Sequence, residues 1–253
     1  MQLNYQLHGE GEPLIILHGL FGTLENWGSQ IKSLAERFQV IAVDLRNHGR
    51  SPHSDEMSYP LMAADILALM EQLNVSKAHI LGHSMGGKAA MQLALNHPDR
   101  IDKLIVVDIA PVVYPRHHDD VFEGLFSIDL TSLKSRSQAD SQLQALIKEP
   151  SVRAFLLKNL YRNEAGQFDW RMNLQALHDD YAQISAAPQG SSPYPKPVLF
   201  IKGANSNYLI PEYRDDLLGL FPKASYKVIQ NAGHWPHAEQ ADSFSRMVLD
   251  YLG

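Results

Sequence analysis

The sequence predicts an α/β fold: a mostly parallel sheet with helices on both faces and a helical segment inserted between two of its strands. Three observations carry this. Short, continuous apolar runs recur along the chain, beginning with Leu14-Ile15-Ile16-Leu17, and such runs mark strands buried on both faces. Helical patterns lie between them, and alternation of the two implies parallel strands joined by covering helices. The alternation then stops over residues 111–194, where no strand pattern is read.

In chain order, residues 1–10 are expected to add an antiparallel edge hairpin. The strand at Leu14–Leu17 follows, and then a helix with Trp27, Ile31 and Leu34 on one face. Phe38 to Val43 is the next strand. Ser58 is placed to cap a helix that carries Tyr59, Met62, Ile66, Met70 and Leu73. Ala78 to Leu81 and Leu104 to Val107 are further strands, separated by a helix from Gly87 to His97 that stops at Pro98. Within 111–194, the groups Val121-Phe122 with Leu125-Phe126, then Leu143, Leu146 and Ile147, then Val152, Phe155, Leu156 and Leu160 read as short amphipathic helices. They form either a cap over the site or a bundle packed away from it. Gln189 to Pro193 is the return linker. The core therefore comprises 1–110 and 195–253, the latter with strands at Val198–Ile201 and Tyr226–Ile229. It closes on a helix with Phe244, Met247, Val248, Tyr251 and Leu252 at i, i+3, i+4, i+7, i+8 spacing.

Bulk properties narrow the function. The chain has 253 residues, 45% of them hydrophobic, which suits one α/β domain with an insertion. A net charge of −6 without a basic cluster argues against nucleic acid. The absence of cysteine excludes disulfides and a thiolate nucleophile. No apolar stretch approaches the ~20 residues that span a bilayer, and the N-terminus lacks a secretion signal. A soluble cytoplasmic protein without a membrane partner is expected.

Gly82-His83-Ser84-Met85-Gly86 is G-x-S-x-G placed between a strand and a helix. There a tight turn holds a serine hydroxyl proud of the sheet, and the helix N-terminus offers N–H groups to a developing negative charge. A serine needs a base. Twelve histidines are present, and position selects His234, in the loop between the last strand and the last helix, at the sheet edge where catalytic groups collect. The base needs an acid. The loop after the strand that re-enters the core, Gly203 to Tyr208, has no carboxylate before Glu212, whereas Asp108 ends the strand one earlier. A charge directly after an apolar run demands a partner, so Asp108 is preferred and Glu212 is its rival. The order Ser84, Asp108, His234 is that of nucleophile, acid and base in this architecture. The backbone N–H groups of Leu20 and Met85 are the expected oxyanion donors.

Other residues receive lesser roles. His18 braces its loop. His18, Phe21, His83, Trp235, Phe122, Phe126 and Trp170 are candidates to line a substrate pocket. Asp44 to Ser51 is read as a self-bonded turn beside the site. His117-His118-Asp119-Asp120 belongs to a solvated rim, since adjacent residues rarely face one ion; no metal site is expected.

The blocks His18-Gly19, Gly82 to Gly87 and Gly233-His234-Trp235 resemble the α/β-hydrolase superfamily over essentially the whole chain. Asp44 to Ser51 (DLRNHGRS), GHSMGGK at Gly82 to Lys88, VDIAP at Val107 to Pro111, Gly203 to Tyr208 with its asparagines, and AGHWPHA at Ala232 to Ala238 are similar to the YbfF-type bacterial esterases and their mitochondrial relatives. The resemblance implies an acid after the earlier strand, favouring Asp108 over Glu212. It also implies an esterase acting on medium or long acyl esters or acyl-CoA thioesters, with no cofactor. A coenzyme A substrate would want a basic rim, for which Arg116, Lys158 and Arg162 are candidates. A C–C hydrolase or lyase on the same scaffold, or a hydrolase-like ligand receptor, would share the same residues.

Overall fold

The computed structural model describes residues 1–253. Its centre is a seven-stranded sheet. β1 (Tyr5–His8), β2 (Glu12–Leu17) and β3 (Phe38–Val43) open the chain, with helix α1 (Gly28–Leu34) between the last two. Helix α2 (Tyr59–Gln72) leads to β4 (Ala78–His83), α3 (Met85–Asn96) and β5 (Ile101–Val107). The segment after β5 holds α4 (Asp119–Ser127), α5 (Arg136–Leu143), α6 (Pro150–Leu156), the short strands β6 (Leu160–Arg162) and β7 (Phe168–Trp170), α7 (Leu174–Asp179) and α8 (Tyr181–Ser185). The sheet resumes with β8 (Val198–Gly203), followed by α9 (Arg214–Leu220), β9 (Ala224–Ile229), α10 (Pro236–Glu239) and α11 (Ala241–Leu252). The strand order is β1-β3-β2-β4-β5-β8-β9, and every pairing except β1 with β3 is parallel.

Both faces of the sheet are buried, as the continuous apolar runs require. Successive residues of one strand feed opposite cores: Ile15 and Leu17 point to one side, Leu14 and Ile16 to the other. The second side packs Trp27, Ile31 and Leu34 against Phe244, Val248 and Leu252 of the closing helix. The first side packs under α2 and α3, then continues without a break into Phe122, Leu125, Leu157 and Tyr181 of the inserted segment. That segment is therefore anchored on the sheet's own core and is not a bundle packed away from it.

Two expectations are corrected. Residues 1–10 form no hairpin with β2. β1 passes its sequence neighbour and pairs antiparallel with β3, Tyr5 opposite Val43. The inserted segment is not purely helical, since β6 and β7 form a small antiparallel pair. Its turn is closed by Asn163 N–H to Gln167 O at 2.8 Å, with Gly166 in the left-handed region at φ +75°. Local turn chemistry makes this hairpin, and apolar alternation does not announce it. Ser58 does cap α2, its hydroxyl accepting from Leu61 N–H at 3.4 Å.

Candidate active site

Every polar group of the site stands at the carboxyl ends of the parallel strands. β4 ends at His83, and Ser84 turns into α3 with φ +52°, ψ −119°. A non-glycine residue held there is strained, and such strain is characteristic of functional sites. The crossing is possible only with glycine on both flanks. A Cβ at Gly82 would lie 2.2 Å from Gly86 O, and one at Gly86 would lie 2.5 Å from both Leu17 O and His18 O. The nucleophile turn is thus pressed directly against the end of β2.

Asp108 follows β5, also in the left-handed region at φ +51°. Its carboxylate is fully buried and receives three donors: Gly203 N–H at 3.1 Å, the Ser206 hydroxyl, and His234 Nδ1 at 2.7 Å. Charge-assisted bonds of this kind offset the cost of burying a carboxylate. With Nδ1–H given to Asp108, Nε2 of His234 is free to accept from the Ser84 hydroxyl, at 3.0 Å. Ser84, His234 and Asp108 are thereby connected, although 150 residues separate the first two. Glu212 lies on an exposed single-turn helix and makes no such contact.

The loop after β2 supplies the facing wall. Leu20 N–H donates to no protein acceptor, which leaves it available to an incoming oxygen. Met85 N–H stands at the first position of α3. A Cβ at Gly19 would come within 3.2 Å of Ser84 Cβ, so this loop lies directly over the nucleophile. Two neutral imidazoles hold it. His18 Nε2 accepts from Leu45 N–H at 3.0 Å, and His48 Nε2 accepts from Phe21 N–H at 3.1 Å. Burial lowers both rings from the ordinary histidine value, His48 to about 3. The Asp44 to Ser51 stretch does bond to itself, Asp44 accepting from Arg50 N–H at 2.9 Å. It also props the Leu20 loop, Asp44 accepting from Leu24 N–H at 2.8 Å.

A cavity of about 240 Å3 opens beside Ser84. His18, Phe21, His83 and Trp235 line it as expected, joined by Val121, Val152, Phe155 and Leu156 from the inserted segment. That segment therefore lies over Ser84. Phe122, Phe126 and Trp170 do not line the cavity. Phe122 is one layer behind, its ring 5.3 Å from that of Phe21. Phe126 is 44% exposed, and with Trp170 it borders a separate groove on the outer surface of the cap. The helix period separates the two neighbours on α4: Val121 faces the cavity and Phe122 packs behind it. His118 also lines the cavity, with Nδ1 bonded to Tyr181 Oη at 2.5 Å, so it belongs to the wall and not to a solvated rim. No group of three or more metal-binding side chains is assembled anywhere in the chain.

Two site residues were not anticipated. Ser206 holds the acid, and Tyr208 stacks its ring on His234 with centroids 4.0 Å apart. Both belong to the loop whose want of a carboxylate was evident in the sequence. The missing acid was itself a signal that this loop supplies donors to an acid placed elsewhere.

Residues 12–241 match the family described as alpha/beta hydrolase fold. The chain belongs to that family. It is 42% identical to "Esterase YbfF" of Escherichia coli over 95% of this chain and 92% of that one. It is 40% identical to the mouse protein named "sn-1-specific diacylglycerol lipase ABHD11", covering 94% of this chain and 80% of the other. A solved structure titled "Marine microorganism esterase" superimposes with a TM-score of 0.96 at 40% identity, covering 98% of each chain. The similar proteins thus carry esterase and lipase names on the same fold.

Proposed function

We propose that this α/β hydrolase is a serine esterase cleaving carboxylic esters of apolar acyl groups through Ser84, His234 and Asp108. His234 Nε2 takes the hydroxyl proton as Ser84 Oγ attacks the ester carbonyl carbon. The carbonyl π electrons move to oxygen, where the Leu20 and Met85 N–H groups stabilise the negative charge. The intermediate collapses, the C–O bond to the alcohol breaks, and the imidazolium gives its proton to the departing oxygen. Water, deprotonated by the same ring, then attacks the acyl carbon; the C–Oγ bond breaks, the imidazolium returns its proton to Ser84 Oγ, and the acid is released. Asp108 fixes the tautomer throughout and stabilises the imidazolium.

The observation that carries this reading is the 3.0 Å contact between Ser84 Oγ and a His234 ring whose other nitrogen is 2.7 Å from a buried carboxylate. The lining supports an apolar acyl group, since Phe21, Val121, Val152, Phe155 and Leu156 surround the nucleophile. No lysine or arginine lines the cavity. Arg116 is paired with Asp119, and Arg162 lies on the Phe168 ring. Lys158 is exposed, so the want of a cation concerns the cavity lining itself, and oxygen esters are the substrates that this apolar lining supports.

The test is kcat/KM over p-nitrophenyl esters and matched CoA thioesters of increasing acyl length, with Ser84→Ala alongside. Hydrolysis of the oxygen esters that vanishes in Ser84→Ala is expected. Undiminished turnover in that variant overturns the assignment, and a preference for the thioesters overturns the substrate class.

A further inference from the structure

One buried lysine takes no part in the chemistry above. Lys88 is 1% exposed and stands on α3 one turn after the nucleophile, its N–H donating to Ser84 O at 3.0 Å. An ammonium is costly to bury without a partner, no carboxylate pairs with it, and burial lowers its pKa from the ordinary lysine value to about 7. Its Nζ instead donates to three backbone carbonyls: Val112 O at 2.7 Å, Ser185 O at 2.9 Å and Ala186 O at 2.6 Å. It also faces the Tyr114 ring at 4.7 Å and the Tyr59 ring at 5.7 Å, an arrangement that stabilises a desolvated cation.

The three acceptors have one thing in common. Val112 is where the chain leaves the sheet for the cap, and Ser185-Ala186 is where it returns. The two roots also bond to one another, Tyr114 N–H to Ser185 O at 3.0 Å. One turn further along α3, Gln92 repeats the device on the return strand of chain, exchanging two bonds with Gln189. From the outgoing root, Tyr114 reaches the base: its hydroxyl accepts from Ala110 N–H at 2.9 Å and donates to Tyr208 O, and the Tyr208 ring lies on His234.

We propose that Lys88 is a positioning residue that clamps both roots of the cap to the helix of the nucleophile and, through Tyr114 and the core-loop residue Tyr208, ties that junction to His234. This rests on the esterase reading for its kinetic consequence only. A lysine is suited to the task because three N–H donors on one tetrahedral nitrogen can serve three carbonyls; a neutral side chain of equal length cannot.

The experiment compares wild type with Lys88→Met, which keeps the unbranched stem and loses the donors, and with Lys88→Ala given n-propylammonium. Hydrogen exchange needs no substrate, so it separates failure of this inference from failure of the esterase reading. The bonded amides of Tyr114, Ala186 and Gln189 are expected to exchange at least tenfold faster in Lys88→Met, with those of β4 and β5 unchanged. In ester hydrolysis KM is expected to rise more than kcat falls, and propylammonium is expected to restore part of the loss in Lys88→Ala. Unchanged exchange at the roots overturns the inference. So does equal acceleration across the sheet, which would make Lys88 a general stabiliser and not a clamp.

Discussion

The sheet and the cap solve different problems in one molecule. At the sheet, three catalytic candidates stand on or just after strand ends, two of them in the left-handed region, and hydrogen bonds join them to one another and Asp108 to buried backbone. In the cap, half-buried apolar side chains on short helices face a cavity, and few polar bonds fix them. Chemistry needs atoms placed to a few tenths of an ångström, and the rigid sheet provides that. Recognition of an acyl group needs volume and apolar surface, which a few short helices supply with less precision.

The largest expected effect lies on the sheet side. Asp108→Asn should keep the fold and lower kcat by about 10⁴-fold, because an amide can favour the wrong imidazole tautomer. Glu212→Gln should leave kcat within about twofold. Steady-state kinetics on one ester checks both, and a large loss in Glu212→Gln would move the acid to the other loop.

A second pair of variants sharpens the division within the cap. Phe122 is buried behind the cavity wall and Phe155 lines it. Phe122→Ala should cost about 3–5 kcal/mol in urea unfolding, as for a buried aromatic truncated to alanine, with acyl preference retained. Phe155→Ala, half-buried against Trp235 at 5.5 Å, should cost less and shift kcat/KM toward longer acyl chains. Reversed outcomes would exchange their roles.

The smallest effect, read per ring over a single pH unit, is on stability in acid. Burial holds His48 and His237 at about 3, below the ordinary histidine value of about 6.5. Between those values the unfolded chain binds protons that the folded one does not, so stability is full above pH 6.5 and falls with acid. Each ring contributes about 1.4 kcal/mol per pH unit. Urea midpoints should be flat from pH 8 to 7 and decline below 6.5, with a shallower decline in His237→Gln. An equal slope in that variant would remove His237 from the account.

Legibility in the sequence followed the same division. β2 through β5 and β8 were readable because strands buried on both faces must be continuously apolar; β9 is an edge strand exposed from Ser225 to Val228 and lacks that signal. The partner of β1 was not, because nothing local to Tyr5–His8 says that the chain bypasses β2. β6 and β7 escaped because they are three residues each and owe their pairing to a turn. At the site, Ser84, Asp108 and His234 were marked by position relative to strands. Ser206 and Tyr208 were not, since a serine bonding an acid 98 residues away has no local signature. In the cap, Phe122, Phe126 and Trp170 look alike as letters, and only the facing of each element separates packing from lining.

The ring cluster around His234 has a further consequence. His83 lies 4.8 Å from it and His237 lies 4.6 Å from His83, an arrangement that could pass a proton away from the reaction. Burial depresses the basicity of both neighbours, and of His118 in the cap wall. In the proposed mechanism these rings are therefore poor acceptors for a proton taken from Ser84, and His234 is the ring of the cluster best placed to carry it.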